Sequence, residues 1–440
     1  MKRLVLFGLL AACQTSPSGA GRPANVVLIL ADDLGYGDVG CYGAPDIRTP
    51  CIDRLAAQGV RFTQFYSNGP ECTPTRAALL TGRYQHRVGG LECAIGLAGV
   101  GRYDDAARLA AKGELGLPVE ETSLARILRN AGYETAVFGK WHLGYERKFL
   151  PDRHGFDRSF GPLGGAVDYF HHCEPGGAPM LRENGEPVKR EGYLTDVLAD
   201  EAARFLRGPR AKPFFLYVPF TAPHSPYQGP GDRRERPLSA EEWDKGTRET
   251  FAAMVERMDR GVGEILRALD ESGLAADTLV VFTSDNGGDP RGRNLPYSGR
   301  KGGLYEGGIR VPCIARRPGV LRPGTVSDRV GITMDLSASI VRLAGARPPR
   351  PFDGVDLFSE APADRPLFWR ARRGTLTWRA VRQGPLKYLS KQDGAAPEEH
   401  LFDLDRDPAE KADLLAARGA DVARLKALLA AWEIEVRPVR

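Results

Sequence analysis

Short apolar runs recur along the chain, separated by segments with a helical pattern. The first reads NVVLILA, and its continuous β-branched and aliphatic character is typical of a strand buried on both faces. The runs that share this character lie at residues 25–31, 135–138, 214–220 and 279–283. Strands that alternate with helices predict an α/β fold, with a large, mixed but mostly parallel sheet between layers of helices.

Capping signals predict where the helices lie. Thr49 followed by Pro50 suits the start of a helix, and Gly59 suits its end. A second helix is predicted from Thr122 onward, through SLARILRNAG. A third is predicted over residues 241–270, where apolar residues recur near helical spacing.

The chain changes character near residue 345, where the proline-rich RPPRPFDG begins. We therefore assign residues 22–345 to a large domain and residues 346–440 to a smaller C-terminal α+β subdomain. The motif LFDLDRDPAE lies within the smaller subdomain. The elements predicted there are an antiparallel sheet with strands at residues 376–381 and 386–389 and a closing helix over residues 420–436.

The first twenty residues are typical of an export signal. A basic start, MKR, precedes an apolar run that is too short to span a bilayer. The run ends in LAAC, which resembles the lipobox of bacterial lipoproteins and would make Cys13 the lipidated residue. An ordinary cleaved signal peptide is the alternative. Either interpretation predicts an exported protein, periplasmic or attached to the outer membrane of a bacterium through a lipid at Cys13.

Charge and cysteine content narrow the function classes. The net charge of +5 over 440 residues is small and spread along the chain, which argues against nucleic acid as a partner. The seven cysteines form no C-x-x-C pair, which argues against a structural zinc site. A disulfide between Cys41 and Cys51 would suit an exported protein, and the sequence leaves that pairing open.

Acidic and amide side chains follow two of the predicted strands. Asp32 and Asp33 come directly after the first strand, and Asp285 and Asn286 come after the strand at 279–283. Ligands of open α/β sheets bind at the carboxyl ends of the strands. Oxygen ligands gathered at that edge suit a hard cation, so we predict one Ca²⁺ held by these four side chains.

The segment CTPTRAALLTGR, which begins at Cys72, is the most specific feature of the chain. Pro74 suits the first turn of a helix, and AALL has high helix propensity. Cys72 is therefore predicted to lie at a helix N-terminus, where free amides and the helix dipole favour an anion such as sulfate.

The same segment resembles the signature of the sulfatase family, C-x-P-S/T-R followed by x-x-L-x-T-G. The resemblance implies an alkaline-phosphatase-like fold and a Cys72 that a separate maturation enzyme oxidises to Cα-formylglycine. The hydrated aldehyde would be the nucleophile that attacks the sulfur of a sulfate ester, and it would also contribute to the calcium site. Arg76 belongs to the same signature and to the cation cluster around the nucleophile.

Further motifs match the family in the same order along the chain. The segment GKWHLG resembles the family element in which Lys140 binds sulfate and His142 contacts a formylglycine oxygen; extended geometry would place both side chains on one face. His224 matches the histidine that contacts sulfate near the leaving oxygen, and we assign it as the general acid. Lys301, followed by GGLYEGGIRVP, supplies a second lysine to sulfate.

Two other functions were weighed against a sulfatase. A phosphate or phosphonate ester hydrolase of the same superfamily is disfavoured because its phosphatases use several histidine metal ligands, and this chain has seven histidines in all. An inactive, unmodified lipoprotein that binds sulfated glycans would keep the fold without the chemistry. Mass spectrometry of the Cys72 peptide separates it from the enzyme.

The substrate is a sulfated small molecule or glycan, with arylsulfates expected as artificial substrates. We predict that loops at residues 89–112 and 166–187 shape the outer pocket. Within the second loop, Asp168, His171 and His172 either contact a sugar or support the structure.

Overall fold

The computed structural model describes residues 24–96, 102–359 and 364–438. The predicted export signal and Cys13 lie outside these residues. Within the described ranges, no helix is both long and apolar enough to cross a membrane.

Fourteen strands and nine α-helices are found in the described part of the chain. The strands are β1 (Asn25–Ala31), β2 (Val60–Tyr66), β3 (Glu134–Phe138), β4 (Arg158–Pro162), β5 (Leu181–Glu183), β6 (Glu186–Pro187), β7 (Phe214–Pro219), β8 (Thr278–Ser284), β9 (Cys313–Arg316), β10 (Thr325–Ile332), β11 (Leu367–Arg373), β12 (Leu376–Gln383), β13 (Leu386–Asp393) and β14 (Glu398–Asp403). The helices are α1 (Pro50–Ala57), α2 (Cys72–Thr81), α3 (Asp104–Ala111), α4 (Leu124–Asn130), α5 (Leu194–Arg207), α6 (Arg248–Glu271), α7 (Glu306–Ile309), α8 (Thr333–Leu343) and α9 (Gly419–Glu435).

The first ten strands form one mixed sheet in the order β10-β2-β9-β8-β1-β7-β3-β4-β5-β6. Its centre is parallel, since β1 pairs in parallel with both β7 and β8, and β3 pairs in parallel with β7. The last four strands form a separate antiparallel sheet in the order β11-β12-β13-β14. The predicted fold class is confirmed.

Strand β1 shows why an unbroken apolar run marks the centre of the large sheet. Val27 and Ile29 pack into the core that contains α5 and α6, whereas Val26 and Leu28 pack into the core on the opposite face, with α2 and α4. Both faces are therefore covered, and every residue of β1 is buried. Polar residues appear only where the strand ends.

The predicted strand runs lie within observed strands, except that the run at 214–220 extends one residue beyond β7, and one helix boundary is wrong. Helix α6 begins at Arg248, not at residue 241, because Thr247 caps it: the Thr247 side chain accepts a hydrogen bond from the backbone N–H of Thr250. In the second sheet, the two predicted strands are the central ones, β12 and β13, and the flanking β11 and β14 were not predicted.

The second sheet shares a hydrophobic core with the first. Trp369 on β11 and Trp432 on α9 belong to this core, together with Tyr66 and Ile309 from the large sheet and its loops. The indole N–H of Trp369 donates to the backbone oxygen of Ser67, 2.8 Å away. The second sheet is therefore packed close to the loop that leads into α2.

Candidate active site

Four neighbouring strands of the large sheet end at the same edge. In sheet order these strands are β8, β1, β7 and β3, all parallel to one another. The residues of interest that follow them are Asp285 and Asn286, Asp32 and Asp33, His224, and Lys140 and His142. The topology thus gathers side chains from distant parts of the sequence into one cluster.

Cys72 is the first residue of α2 and is buried. Its Sγ lies 3.3 Å from Asp32 Oδ1 and 3.3 Å from Lys140 Nζ. Burial and the negative charge of Asp32 raise the pKa of the Cys72 thiol well above its ordinary value. An unmodified thiol here stays protonated, and a protonated thiol is a poor nucleophile.

Arg76 lies one turn further along α2 and is fully buried. Its Nε and Nη2 donate to Asp285 Oδ2 at 3.0 and 2.8 Å, and its Nη1 donates to the backbone oxygen of Lys140 at 2.9 Å. Arg76 therefore ties α2 to the ends of β8 and β3.

The two lysines predicted to bind sulfate each pair with a carboxylate after β1. Lys140 Nζ lies 2.5 Å from Asp32 Oδ2, and Lys301 Nζ lies 2.7 Å from Asp33 Oδ2. The Lys140 side chain is fully buried, whereas that of Lys301 is 21% exposed. Lys301 therefore reaches the open side of the site, where a substrate would enter.

His224 follows β7 and faces the same cluster. Its Nδ1 lies 2.6 Å from the backbone oxygen of Ser225, and its Nε2 lies 3.6 Å from Asp33 Oδ2. Burial, followed by the positive charge of Lys301, lowers the pKa of His224 below its ordinary value. The lowered pKa favours the neutral ring, in which the Nδ1–H donates to the Ser225 oxygen and Nε2 faces the site without a proton.

His142 differs from the prediction in its backbone. The expected extended geometry is wrong, because β3 ends at Phe138 and His142 has a left-handed φ of 56°. Its Nε2 lies 2.6 Å from the backbone oxygen of Ile95, and its buried Nδ1 has no hydrogen-bond partner in the described part of the chain. An orphaned polar atom of this kind indicates a missing partner.

Three of the five predicted calcium ligands lie in one compact group with His224, which was not predicted as a ligand. Asp32, Asp33, Cys72 and His224 each offer a ligand atom, and these atoms lie within 4.8 Å of one another. Asn286 Nδ2 donates to Asp33 Oδ1 at 2.8 Å, while the buried Oδ1 of Asn286 has no partner among the described residues. Burial and the nearby charge of Asp32 raise the pKa of Asp285 to about 7. These oxygen donors and their mutual repulsion fit a hard divalent cation.

Backbone strain accompanies the site. Asp33 and His142 adopt left-handed φ values of 64° and 56°, which residues with a Cβ rarely adopt. Each strained residue contributes of order 1–3 kcal/mol of cost, which the surrounding packing must offset. Such outliers at two of the predicted site residues support a functional role for both.

Some residues at the site were not identified from the sequence. Arg373, at the end of β11, donates from Nε and Nη2 to the carboxylate of Glu71 at 2.9 and 2.7 Å. Glu71 immediately precedes Cys72, so the second sheet holds the start of α2. Gly165 packs against the ring of His142, where a Cβ would lie 2.6 Å from Nε2. Neither Arg373 nor Gly165 has a local sequence signal that marks it as part of the site.

The outer loop at residues 166–187 supports the structural alternative for two of its polar residues. Asp168 is fully buried, and its Oδ2 accepts from Gln228 Nε2 at 3.2 Å and from the backbone N–H of Leu238 at 3.0 Å. His172 is buried, and its Nε2 lies 3.1 Å from the backbone oxygen of Gly192. His171 is the exposed member, with 25% of its side chain accessible.

The pairing of Cys41 with Cys51 does not occur in the structure, where both are free thiols. Each contacts a carboxylate instead of the other sulfur. Burial and Asp53 raise the pKa of Cys41, and burial and Asp259 raise that of Cys51.

A helix N-terminus that presents residue 72 to buried cations and carboxylates defines an enzyme site for cleaving esters of a small anion. Comparison with known proteins identifies which anion. The family model described as Sulfatase matches residues 24–346. The chain belongs to the sulfatase family and is a sulfatase, an enzyme that hydrolyses sulfate esters.

Individual relatives agree with this assignment. Steryl-sulfatase of Mus musculus is 34% identical, over 93% of this chain and 81% of that protein. N-acetylgalactosamine-6-sulfatase of Canis lupus familiaris is 35% identical, over 93% of this chain and 84% of that protein. The crystal structure of Ps i-CgsB in complex with k-i-k-neocarrahexaose has a TM-score of 0.83 and 31% identity, covering 95% of this chain and 94% of that chain.

Proposed function

We propose that this sulfatase removes sulfate from a sulfated carbohydrate, with a formylglycine made from Cys72 as nucleophile and one Ca²⁺ in the site. The observation that carries the proposal is the position of Cys72 at the N-terminus of α2, with Sγ 3.3 Å from both Asp32 Oδ1 and Lys140 Nζ. Formylglycine would supply a hydrated aldehyde whose second hydroxyl allows sulfate to be released after its transfer. A thiol in this place offers no such route.

The calcium ion would be held by Asp32, Asp33, Asp285 and Asn286 together with the modified residue 72. Calcium supplies positive charge that polarises sulfate oxygens and favours an ionised nucleophile. The fit rests on the oxygen donors described above and on the unpartnered Oδ1 of Asn286. Arg76 keeps Asp285 oriented through its two hydrogen bonds.

The lysines and histidines act on the sulfate ester. The ammonium groups of Lys140 and Lys301 pair with two carboxylates that line the site. Both groups would contact an anion that is bound next to residue 72. They orient the sulfate and stabilise the charge that develops on it. His224 Nε2 would protonate the leaving alcohol once the negative charge of the bound sulfate ester has brought the ring to its doubly protonated form; its Nδ1 donates to the Ser225 oxygen. His142 Nδ1 accepts or returns the proton of the nucleophilic hydroxyl.

A carbohydrate substrate is supported by the relatives. N-acetylgalactosamine-6-sulfatase is named for a sugar sulfate, and Ps i-CgsB was crystallised with k-i-k-neocarrahexaose. Arylsulfates should serve as artificial substrates.

Mass spectrometry of the residue 72 peptide tests the nucleophile. Protein produced with a maturation enzyme should show formylglycine at residue 72, and a Cys72→Ala variant should release no sulfate from any substrate. Full activity of protein that carries only the unmodified thiol would overturn the proposal. It would also exclude the inactive, glycan-binding interpretation, because such a protein would not turn over a substrate.

A substrate panel tests the ester class. The modified enzyme should release sulfate from at least one sulfated monosaccharide or oligosaccharide, measured as free sulfate, and from an arylsulfate. Phosphate and phosphonate esters serve as the matched comparison. Turnover confined to these esters would refute the proposed chemistry.

We also propose that the protein is exported and carries a lipid on Cys13. The proposal rests on the basic and apolar pattern of the first twenty residues. A Cys13→Ser variant should move from the membrane fraction to the soluble fraction, whereas a Cys41→Ser variant should not. Equal fractionation of the two variants would argue for an ordinary cleaved signal.

A further inference from the structure

A buried ion cluster joins the second sheet to the segment that carries Lys301. Lys387, on β13, has its Nζ 2.9 Å from Glu306 Oε1 and 2.9 Å from Glu410 Oε1, and all three side chains are fully inaccessible to solvent. Glu410 Oε2 in turn accepts a hydrogen bond of 2.6 Å from the backbone N–H of Glu306. Glu410 thus holds both the lysine and the first residue of α7.

The other carboxylate oxygen of Glu306 is also held by hydrogen bonds. This oxygen, Oε2, accepts from the hydroxyl of Tyr66 at 2.6 Å and from Arg310 Nη1 at 3.2 Å. Glu306 therefore fixes the start of α7 relative to the end of β2 on one side and to the second sheet on the other.

The anchored residue lies five positions after Lys301. The N–H groups of Lys301, Gly302 and Gly303 donate to the backbone oxygens of Gly288, Pro70 and Arg300, and the far end of the segment is held by the hydrogen bond from Glu306 to Glu410. Lys301 Nζ lies 2.7 Å from Asp33 Oδ2, at the open side of the site. The position of this ammonium group therefore depends on where Glu306 places the end of the segment.

The cluster is costly to bury, and part of it is strained. A buried lysine is tolerated only when carboxylates compensate its charge. Glu306 and Glu410 are the carboxylates paired with Lys387 among the described residues. Glu410 also adopts a left-handed φ of 55°. It is the last residue of the motif LFDLDRDPAE.

We propose that Lys387 and Glu410 are positioning residues for sulfate binding: they fix Glu306 and, through it, the segment at residues 301–306, so that Lys301 stands beside Asp33. The second sheet thus contributes to substrate affinity without contacting the substrate. The inference rests on the sulfate-binding role proposed for Lys301.

A double-mutant cycle tests whether Lys387 acts through Lys301. In fully modified enzyme, Lys301→Met and Lys387→Met should each raise KM for an arylsulfate, and weaken competitive inhibition by inorganic sulfate, by about tenfold, with a much smaller change in kcat. The KM and the sulfate inhibition of the double variant should be close to those of Lys301→Met alone, because no ammonium group remains at residue 301 for Lys387 to position. Formylglycine content is measured for each variant by mass spectrometry.

Arg365 provides the matched control. Its guanidinium pairs with the buried carboxylate of Asp335 at 2.8 Å and also ties the chain that enters the second sheet to the large domain. It makes no hydrogen bond or ion pair with the described residues of the 301–306 segment. Arg365→Met should lower stability but leave KM and sulfate inhibition unchanged, alone and in combination with Lys301→Met.

The outcomes separate the two proposals. An unchanged KM in Lys301→Met would overturn the proposed role of Lys301 itself. A raised KM in Lys301→Met, with Lys387→Met unchanged or with effects that multiply in the double variant, would overturn the positioning role alone. If Lys387→Met does not fold, the same cycle with Glu410→Gln decides, since this change keeps the side chain's shape and removes its charge.

Discussion

Arg76 offers a direct test of how the site is held together, through the substitution Arg76→Lys. The change keeps the positive charge but replaces a planar donor fork with a single ammonium group. Arg76 makes two hydrogen bonds to Asp285 and one to the Lys140 backbone oxygen, and it is fully buried. A lysine at this position can replace at most one of them.

The expected cost follows from the bonds that are lost. Each hydrogen bond that involves a charged group contributes about 1.5–3 kcal/mol, and the Lys140 oxygen would be left buried without a donor. Losing two bonds predicts a destabilisation of about 3–6 kcal/mol. In a chain of this length, an unfolding entropy of about 2.1 cal/mol/K per residue moves the midpoint by roughly 1 °C per kcal/mol, so a fall of about 3–6 °C is expected.

The measurement is thermal unfolding at one fixed scan rate, on unmodified protein. Using the Cys72 thiol form throughout removes any effect of Arg76 on maturation. Arg83→Lys is the control, because Arg83 lies just after the same helix and makes one contact of 2.8 Å with Glu121 at the partly exposed surface. That contact can be kept by a lysine, so a shift of about one degree or less is expected. Equal shifts for the two variants would show that the Arg76 hydrogen bonds contribute little.

Other predictions concern the nucleophile's partners, the metal and pH. Gly165→Ala should lower kcat sharply, because its Cβ would lie 2.6 Å from His142 Nε2, whereas Gly176→Ala, with no atom within 4 Å, should leave kcat unchanged. Asp285→Ala should reduce both bound calcium, measured by atomic emission, and turnover; an unchanged calcium content would place the ion elsewhere. Burial and the charge of Glu306 raise the pKa of Glu410 to about 7, so its stabilising contribution is present below about pH 4.5 and is lost as pH rises through about 7. Glu410→Gln should therefore show a smaller fall in unfolding midpoint between pH 5 and 8 than the unaltered protein, and parallel curves would contradict the raised pKa.

The central strands could be predicted because they are buried on both faces. Strands β1, β7 and β8 contain the apolar runs VVLILA, FFLYVP and LVVF. By contrast, β2 reads VRFTQFY and β10 reads TVSDRVGI, with polar residues inside each. Their stability comes from pairing with each other at one edge of the sheet, which a single segment does not reveal.

The site shows the same division between local and distant signals. Asp32 and Asp285 could be predicted because each follows a strand, and parallel strands bring their ends together. Lys140 and His224 could be predicted because their motifs resemble those of a known family. Arg373 and Glu71 lie 302 positions apart, and nothing near either one indicates their contact. The left-handed backbone of His142 was equally hidden, because local patterns favour the extended form there.

The burial of Cys72 has a consequence for the order of events in the cell. In the folded chain this residue is 1% exposed, beneath the ends of strands that pair across long sequence separations, as Leu30 of β1 does with Thr283 of β8. A modifying enzyme cannot reach it there, so under the proposed function the oxidation must precede folding. Sheets of such high contact order form slowly. That delay leaves a time window in which the nascent chain is still open, and a faster-folding variant of this protein should emerge less completely modified.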